Sequence, residues 1–361
     1  MNFDLQELNR RPYQVLSTLY HLSRFFLQNA EFDKFTPQKY SLEWAKNTNQ
    51  LRKPDLWLLS KLHEKIEDYT LKLEKCEFNT ALAILEDFVI EAMSRLYVPM
   101  IRKELWTDDP ETHDRRQAIY ATLHYALKTV TLLFNPVTPY LSEELYQKVY
   151  RKLDQTLPES VNFEDWPKPE AEMRNRTLEE EFQTLFRCVS LTYSARQSAK
   201  LKRRWPLNRI VVVAPEKVCS ALKNVEELFL ELANVKTAEY AQQAPENVLK
   251  QNWVSASEDD TQVFLNTERD ERLLGEGLMR DLARRVQALR KELGYMPTDV
   301  LDVVHIAELE EESIRLLEPY VESMAELVRA RRVQLHPHCK GSKNEWHEFQ
   351  LDDKKVYVTI S

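Results

Sequence analysis

The sequence predicts a mainly α protein: an antiparallel helical bundle followed by a smaller mixed α/β domain. Apolar residues recur at three- and four-residue steps through most of the first half of the chain. The connections between those periodic stretches are mostly short, which makes neighbouring helices antiparallel. From about residue 208 onward, short β-branched runs alternate with helical segments, the pattern of a compact α+β or α/β domain. The chain has 361 residues, enough for two or three domains that each bury a core. The domains are placed at 1–165 for the bundle, 166–207 for a linker and junction helix with a basic run, and 208–361 for the α/β domain.

In order, the first helix is expected over Arg11 to Asn29, with Val15, Leu16, Leu19, Leu22, Phe25 and Phe26 on one face. A polar connection leads to a second helix, opened by Asp55 as N-cap and running to about Cys76. The stretch Phe78–Trp106 has the widest apolar stripe, from Phe78 through Leu82, Leu85, Val89 and Met93 to Leu96, and Pro99 should break or kink it. A fourth helix spans Arg115 to Phe134, stopped by Asn135-Pro136-Val137-Thr138-Pro139, and a further one runs from Leu141 to about Leu153. The proline-containing stretch 154–176 reads as a linker lying over the bundle, and a helix from Leu178 to about Leu201 follows it. Strands are expected at Arg209–Ala214, Val235–Tyr240, Val263–Leu265, Val300–Ile306, Arg332–Leu335, Trp346–Leu351 and Lys355–Ile360. Helices fill Lys217–Leu232, Arg272–Leu293 and Ile314–Ala330, and no internal repeat is evident.

Composition excludes several classes. No run of about 18 apolar residues exists, so no membrane span is expected. The opening MNFDLQELNRRPYQ is polar and carries Asp4 and Glu7 early, unlike a secretory leader, and the expected compartment is the cytoplasm. Cys76, Cys188, Cys219 and Cys339 form no CxxC pair, which argues against a thiolate zinc site. His336, His338 and Cys339 crowd together without the further ligands a metal needs. No phosphate-cradling glycine loop, GxSxG or HExxH occurs, so the residues present no complete catalytic apparatus. Net charge is −8, so any polyanion site must be a local basic patch on an acidic body.

Two such patches stand out. In Ala195–Leu207, Arg196, Lys200, Lys202, Arg203 and Arg204 precede Trp205 with no acid among them, as cations for phosphates beside a ring for an unpaired base. The competing explanation is a solvated helix end whose Trp205-Pro206-Leu207 enters the core. In Gly275–Tyr295, Leu278, Leu282, Val286, Leu289 and Leu293 mark one helix face, with Arg280, Arg284, Arg285, Arg290 and Lys291 around the others. Salt-bridged surface helices look the same.

QVLSTLYHLSRFFLQN at 14–29, DLWLLSKL at 55–62, SRLYVPMIRKELW at 94–106 and NPVTPYLSEELYQ at 135–147 resemble the anticodon-binding helical domain of class I aminoacyl-tRNA synthetases, within the isoleucine, leucine and valine subgroup. LKRRWPL at 201–207 and LMRDLARRVQALRKELG at 278–294 resemble the C-terminal part of isoleucyl-tRNA synthetases of the archaeal and eukaryotic kind. The resemblance covers essentially the whole chain, but the family's HIGH and KMSKS signatures, its editing domain and its bacterial zinc module are absent from the sequence. It therefore implies a non-catalytic C-terminal half that grips the anticodon stem-loop of isoleucine tRNA. ATP and Mg would belong to a catalytic domain N-terminal to it, and the chain is expected to be a monomer with no cofactor of its own. Chemistry and position together nominate Thr18, His21 and Arg24 on the first helix, and Arg95, Arg102 and Trp106 at the end of the third. They also nominate Lys202, Arg203, Arg204 and Trp205 in the basic run, and Arg284, Arg285 and Arg290 as backbone contacts. The alternative is a stand-alone interaction protein built on a synthetase half, binding protein partners or another RNA.

Overall fold

The computed structural model describes residues 5–105, 109–249, 252–296, 299–339, 346–351 and 354–360. The chain divides into two compact units, Met1–Glu180 and Glu181–Ser361.

The first unit is helical. It comprises α1 (Leu5–Phe32), α2 (Leu42–Asn47), α3 (Lys53–Glu74), α4 (Phe78–Asp87), α5 (Val98–Leu105), α6 (His113–Phe134), α7 (Pro139–Leu145) and α8 (Arg151–Leu153). The expected long third helix is one continuous helical run, but its middle, Phe88–Tyr97, is wound as a π-helix. Pro99 follows that widened segment directly. A proline ring collides with the carbonyl four residues earlier, and the wider turn gives it room without a break. Phe78, expected on the buried stripe, is 57% exposed, and the stripe begins at Ala81 instead. The helix buried on nearly every side is α6, from Arg115 to Phe134. Leu19, Phe26, Leu58, Leu62, Ile66, Phe88 and Met93 from the other helices, and Ile119 and Leu127 of α6 itself, are fully buried, each contributing about 1.5–3 kcal/mol of apolar burial.

Asp55 is not the N-cap of α3. Arg52 holds that position, and Asp55, three residues inside the helix, accepts the Arg52 N–H at 2.8 Å. The same buried carboxylate accepts the Tyr97 hydroxyl at 2.6 Å and the Arg115 guanidinium at 2.6 Å. Segment 154–175 is a strap packed on α3. Asn175 N–H donates to Ser60 Oγ at 2.7 Å, Glu170 N–H to His63 Nδ1 at 3.0 Å, and Trp166 Nε1–H to Thr70 Oγ1 at 2.9 Å. Trp166 also stacks on Tyr69, with ring centroids 6.1 Å apart.

His124 lies among the rings of Phe26, Phe35 and Tyr150. Burial pulls its pKa down to about 4, with Lys128 acting in the same direction. Its neutral form belongs to the folded state, so the associated stability is complete above the unfolded value near 6.5. It is lost as pH falls from there toward 4, on the order of 3 kcal/mol in all. Urea midpoints at pH 7.5 and 4.5 should differ more for the unaltered chain than for His124→Phe; equal differences would show that His124 does not contribute.

The second unit opens with α9 (Arg176–Ser198), in whose first turns the division between the units falls. β1 (Leu207–Val213), α10 (Glu216–Asn224), α11 (Glu226–Ala233), β2 (Val235–Ala241), β3 (Trp253–Glu258) and β4 (Thr261–Asn266) follow. Next come α12 (Glu271–Glu292), β5 (Leu301–Ala307), α13 (Glu311–Leu317), α14 (Val321–Val328), β6 (Ala330–Leu335), β7 (His347–Leu351) and β8 (Lys354–Ile360). Two sheets form, ordered β2-β1-β4-β3 and β6-β5-β8-β7. In each, the first two strands are parallel and the remaining pairs antiparallel. β3 lies outside every strand expected from the sequence, because WVSASE carries little apolar alternation beyond its first residues.

The order helix–strand–two helices–strand–hairpin therefore occurs twice, which corrects the expectation of no repeat. The equivalence extends to single residues. Lys200 and Gly294 follow α9 and α12 at φ of 55° and 83°, and Asn234 and Arg329 close α11 and α14 at 54° and 48°. Leu207 N–H donates to Asn234 O where Leu301 N–H donates to Arg329 O. Most telling are two buried arginines. Arg196 donates to the carbonyls of Lys202, Trp205, Ala233 and Asn234. Arg290 donates to those of Met296, Asp299, Val328 and Arg329.

Candidate nucleic-acid interface

In the helical unit, α1 presents His21 and Arg24 to solvent, while Thr18 is half-buried and donates back to Gln14 O at 2.6 Å. Three-residue steps rotate 300°, so the side chains fan out and the hydroxyl of the first is spent on its own helix. Arg24 lies over the Tyr20 ring at 5.8 Å and makes no ion pair among the described residues. Arg95 is exposed and paired with Glu91 one turn earlier at 2.5 Å, whereas Arg102 is exposed on α5. Trp106 lies outside the described residues.

In the second unit the basic run after α9 is divided: Arg196 is buried, Arg204 and Trp205 are half-buried, and Lys200, Lys202 and Arg203 are exposed. The Trp205 ring lies flat against α12 at Gly277, where an added Cβ would come within 2.6 Å of a ring carbon. The Arg269 guanidinium sits 4.8 Å from the centroid of the same ring. Its indole N–H donates to Asp281 Oδ2 at 3.0 Å. Lys202 reaches that carboxylate at 3.3 Å, and Arg204 pairs with it too. Trp205 is thus a contact between the basic loop and α12, and its ring is engaged within the protein instead of standing open to a base. Arg203 points outward, its guanidinium 4.2 Å from the centroid of Tyr193. Lys200 is exposed at the left-handed position that closes α9.

Of the α12 arginines, Arg284 is exposed, Arg285 is half-buried and donates to Gln350 O at 2.8 Å, and Arg290 is 4% exposed. Arg290 cannot serve as a phosphate ligand in this arrangement, because its guanidinium is committed to backbone carbonyls. Burial also lowers its pKa, as it does for Arg196, whose value falls to about 10. The residue that sequence reasoning left out is Asp281. It is 2% exposed and gathers three of the four residues nominated in the run. The signal was available: a lone acid between Arg280 and Arg284 on the Leu278–Leu282 side of the helix.

His336 meets His305 across the second sheet, Nε2 to Nδ1 at 3.1 Å, and His338 lies 3.6 Å from Glu308. Among the described residues, no three His, Cys, Asp or Glu side chains converge as a metal site. No helix of the described residues is long and apolar enough to cross a membrane.

Surfaces that display separated arginines and lysines on a net-acidic helical body are suited to a local polyanion, and the comparisons with known proteins agree. Residues 55–212 match the family described as the anticodon-binding domain of tRNA ligase. More particularly, the chain along its whole length is similar to the C-terminal part of isoleucine-tRNA ligases. It is 25% identical to the isoleucine-tRNA ligase of Methanopyrus kandleri over 100% of the chain and 38% of that protein. It is 28% identical to that of Pyrobaculum aerophilum over 96% of the chain and 33% of that protein. With that of Methanocella arvoryzae the identity is 33% over 62% of the chain and 20% of that protein. The chain thus spans well under half the length of these curated relatives.

Proposed function

We propose that this chain is the anticodon-recognition portion of an isoleucine-tRNA ligase, which joins isoleucine to its tRNA at the expense of ATP. The observation that carries the proposal is the similarity to isoleucine-tRNA ligases along the entire chain, including residues beyond the anticodon-binding family match. The chemistry, with its ATP and Mg, belongs in this reading to a catalytic domain of the same polypeptide, and these residues hold no cofactor. The partner is the anticodon stem-loop of isoleucine tRNA, met by a monomer in the cytoplasm.

The exposed cations divide the work. His21, Arg24, Arg95 and Arg102 serve the helical unit, and Lys200, Arg203 and Arg284 serve the second. Lys202, Arg204 and Trp205 act by holding the loop that carries Arg203, while Arg285 and Arg290 act inside the fold. A salt series distinguishes these roles, because each phosphate contact adds close to one to the slope of log affinity against log salt. Titrated against isoleucine tRNA, Arg203→Ala and Arg284→Ala should each lower the slope by about one. A non-cognate tRNA should bind more weakly than isoleucine tRNA. Unchanged slopes would remove those arginines from the interface. Failure to bind any tRNA would favour a stand-alone protein-interaction module.

A further inference from the structure

We propose that the face shared by α1 and α7 takes unpaired nucleobases, with Tyr13, Tyr20 and Tyr140 as the stacking rings. The inference rests on the tRNA-binding reading of the helical unit and names the part of the RNA that this face receives.

Tyr140 is 91% exposed, Tyr13 72% and Tyr20 39%. Large side chains left this open on an otherwise well-packed bundle mark an interaction surface when they share a face. Tyr13 and Tyr20 are seven residues apart on α1, two turns along one face and about 10 Å in rise. Tyr140, Glu144 and Lys148 follow at four-residue steps on α7 and the helical segment that continues it, and the last two are ion-paired.

The two rows run side by side in the same direction. Lys148 lies within electrostatic range of Tyr20, and Lys152 pairs with Glu31. Later residues of one row thus meet later residues of the other. Tyr140, two turns before Lys148, therefore stands toward the Tyr13 end of α1. Arg24 over the Tyr20 ring supplies positive charge next to the rings.

Rings flanked by cations suit single-stranded RNA, whose bases offer π-faces and whose phosphates offer negative charge. A duplex keeps its bases stacked on one another and leaves nothing for the rings. The face thus favours a loop over a stem, which is the distinction an anticodon reader needs.

The test uses the full chain with a synthetic anticodon hairpin of isoleucine tRNA and a continuous RNA duplex of equal length. Tyr13→Ala and Tyr140→Ala should each weaken hairpin binding roughly tenfold while leaving duplex binding and the salt slope unchanged. Tyr140→Phe should keep full affinity, because stacking needs the ring and not the hydroxyl. Hairpin binding unchanged in the alanine variants would overturn the stacking role while leaving the tRNA reading intact. So would equal loss toward hairpin and duplex, or equal affinity of the unaltered chain for the two. No hairpin binding by the unaltered chain would overturn the tRNA reading itself and the stacking role with it.

Discussion

Arg115→Met is expected to lower the unfolding free energy of the helical unit by about 3–5 kcal/mol. Asp55 is fully buried and Arg115 is 5% exposed, so neither charge has water to fall back on. The guanidinium also donates to Glu104 at 2.9 Å and to Gln50 O at 3.2 Å, tying the entry of α3 to α5 and α6. Methionine fills much of the space but leaves the Asp55 carboxylate with only the Tyr97 hydroxyl and the Arg52 N–H. Burial already pushes the Asp55 carboxyl upward, opposed chiefly by Arg115, so its removal favours the protonated acid. Asp55→Asn in the same background should recover part of the loss, since it removes the stranded charge, and the two substitutions should be far from additive. Urea unfolding measures all three variants. A loss below about 1 kcal/mol for Arg115→Met would mean that the pair behaves like an exposed ion pair.

The second large effect concerns Arg196 and Arg290. Arg196→Met and Arg290→Met should each destabilise the second unit by about 3 kcal/mol, since each strands buried carbonyls whose orphaning costs about 1–3 kcal/mol apiece. Relief from burying a cation offsets part of that cost. The repeat makes a sharper demand: the two losses should be similar, because both guanidiniums join the end of a second helix to the loop after the first. Denaturant midpoints of the two variants test it. A severe loss at one site and none at the other would show that the repeated geometry is not a repeated energetic device. Neither substitution should change the salt slope of RNA binding, which separates Arg290 from Arg284 on the same helix.

These arginines show where sequence reading stops. Arg196 and Arg290 each sit in a run of cations, and charge patterning treats every member of such a run alike. Which one turns inward depends on which helix faces the sheet and on the loop carbonyls that close over it. The same holds for Trp205. Its neighbours Lys202, Arg203 and Arg204 suggested an open ring beside phosphates, but Gly277 and Asp281, far along the chain, determine where the ring goes. The repeat escaped notice because its halves share topology and backbone conformation, not side-chain identity. A left-handed residue is Lys200 in one half and Gly294 in the other.

The order and class of the elements were determined by the sequence alone. Apolar period, β-branched runs and proline stops are local signals, and they located the helical first half, most strands of the second, and a basic segment on either side of the first sheet. The family resemblance was likewise carried by short blocks of residues in order. Only the tertiary structure decided that α6 is the central helix, that Asp55 is an ion-pair partner and not an N-cap, and which cations of each basic run face outward. It alone also left Tyr13, Tyr20 and Tyr140 exposed. Those outcomes depend on contacts between residues distant in the chain, where burying a charge or exposing a ring is settled by what the partner element offers.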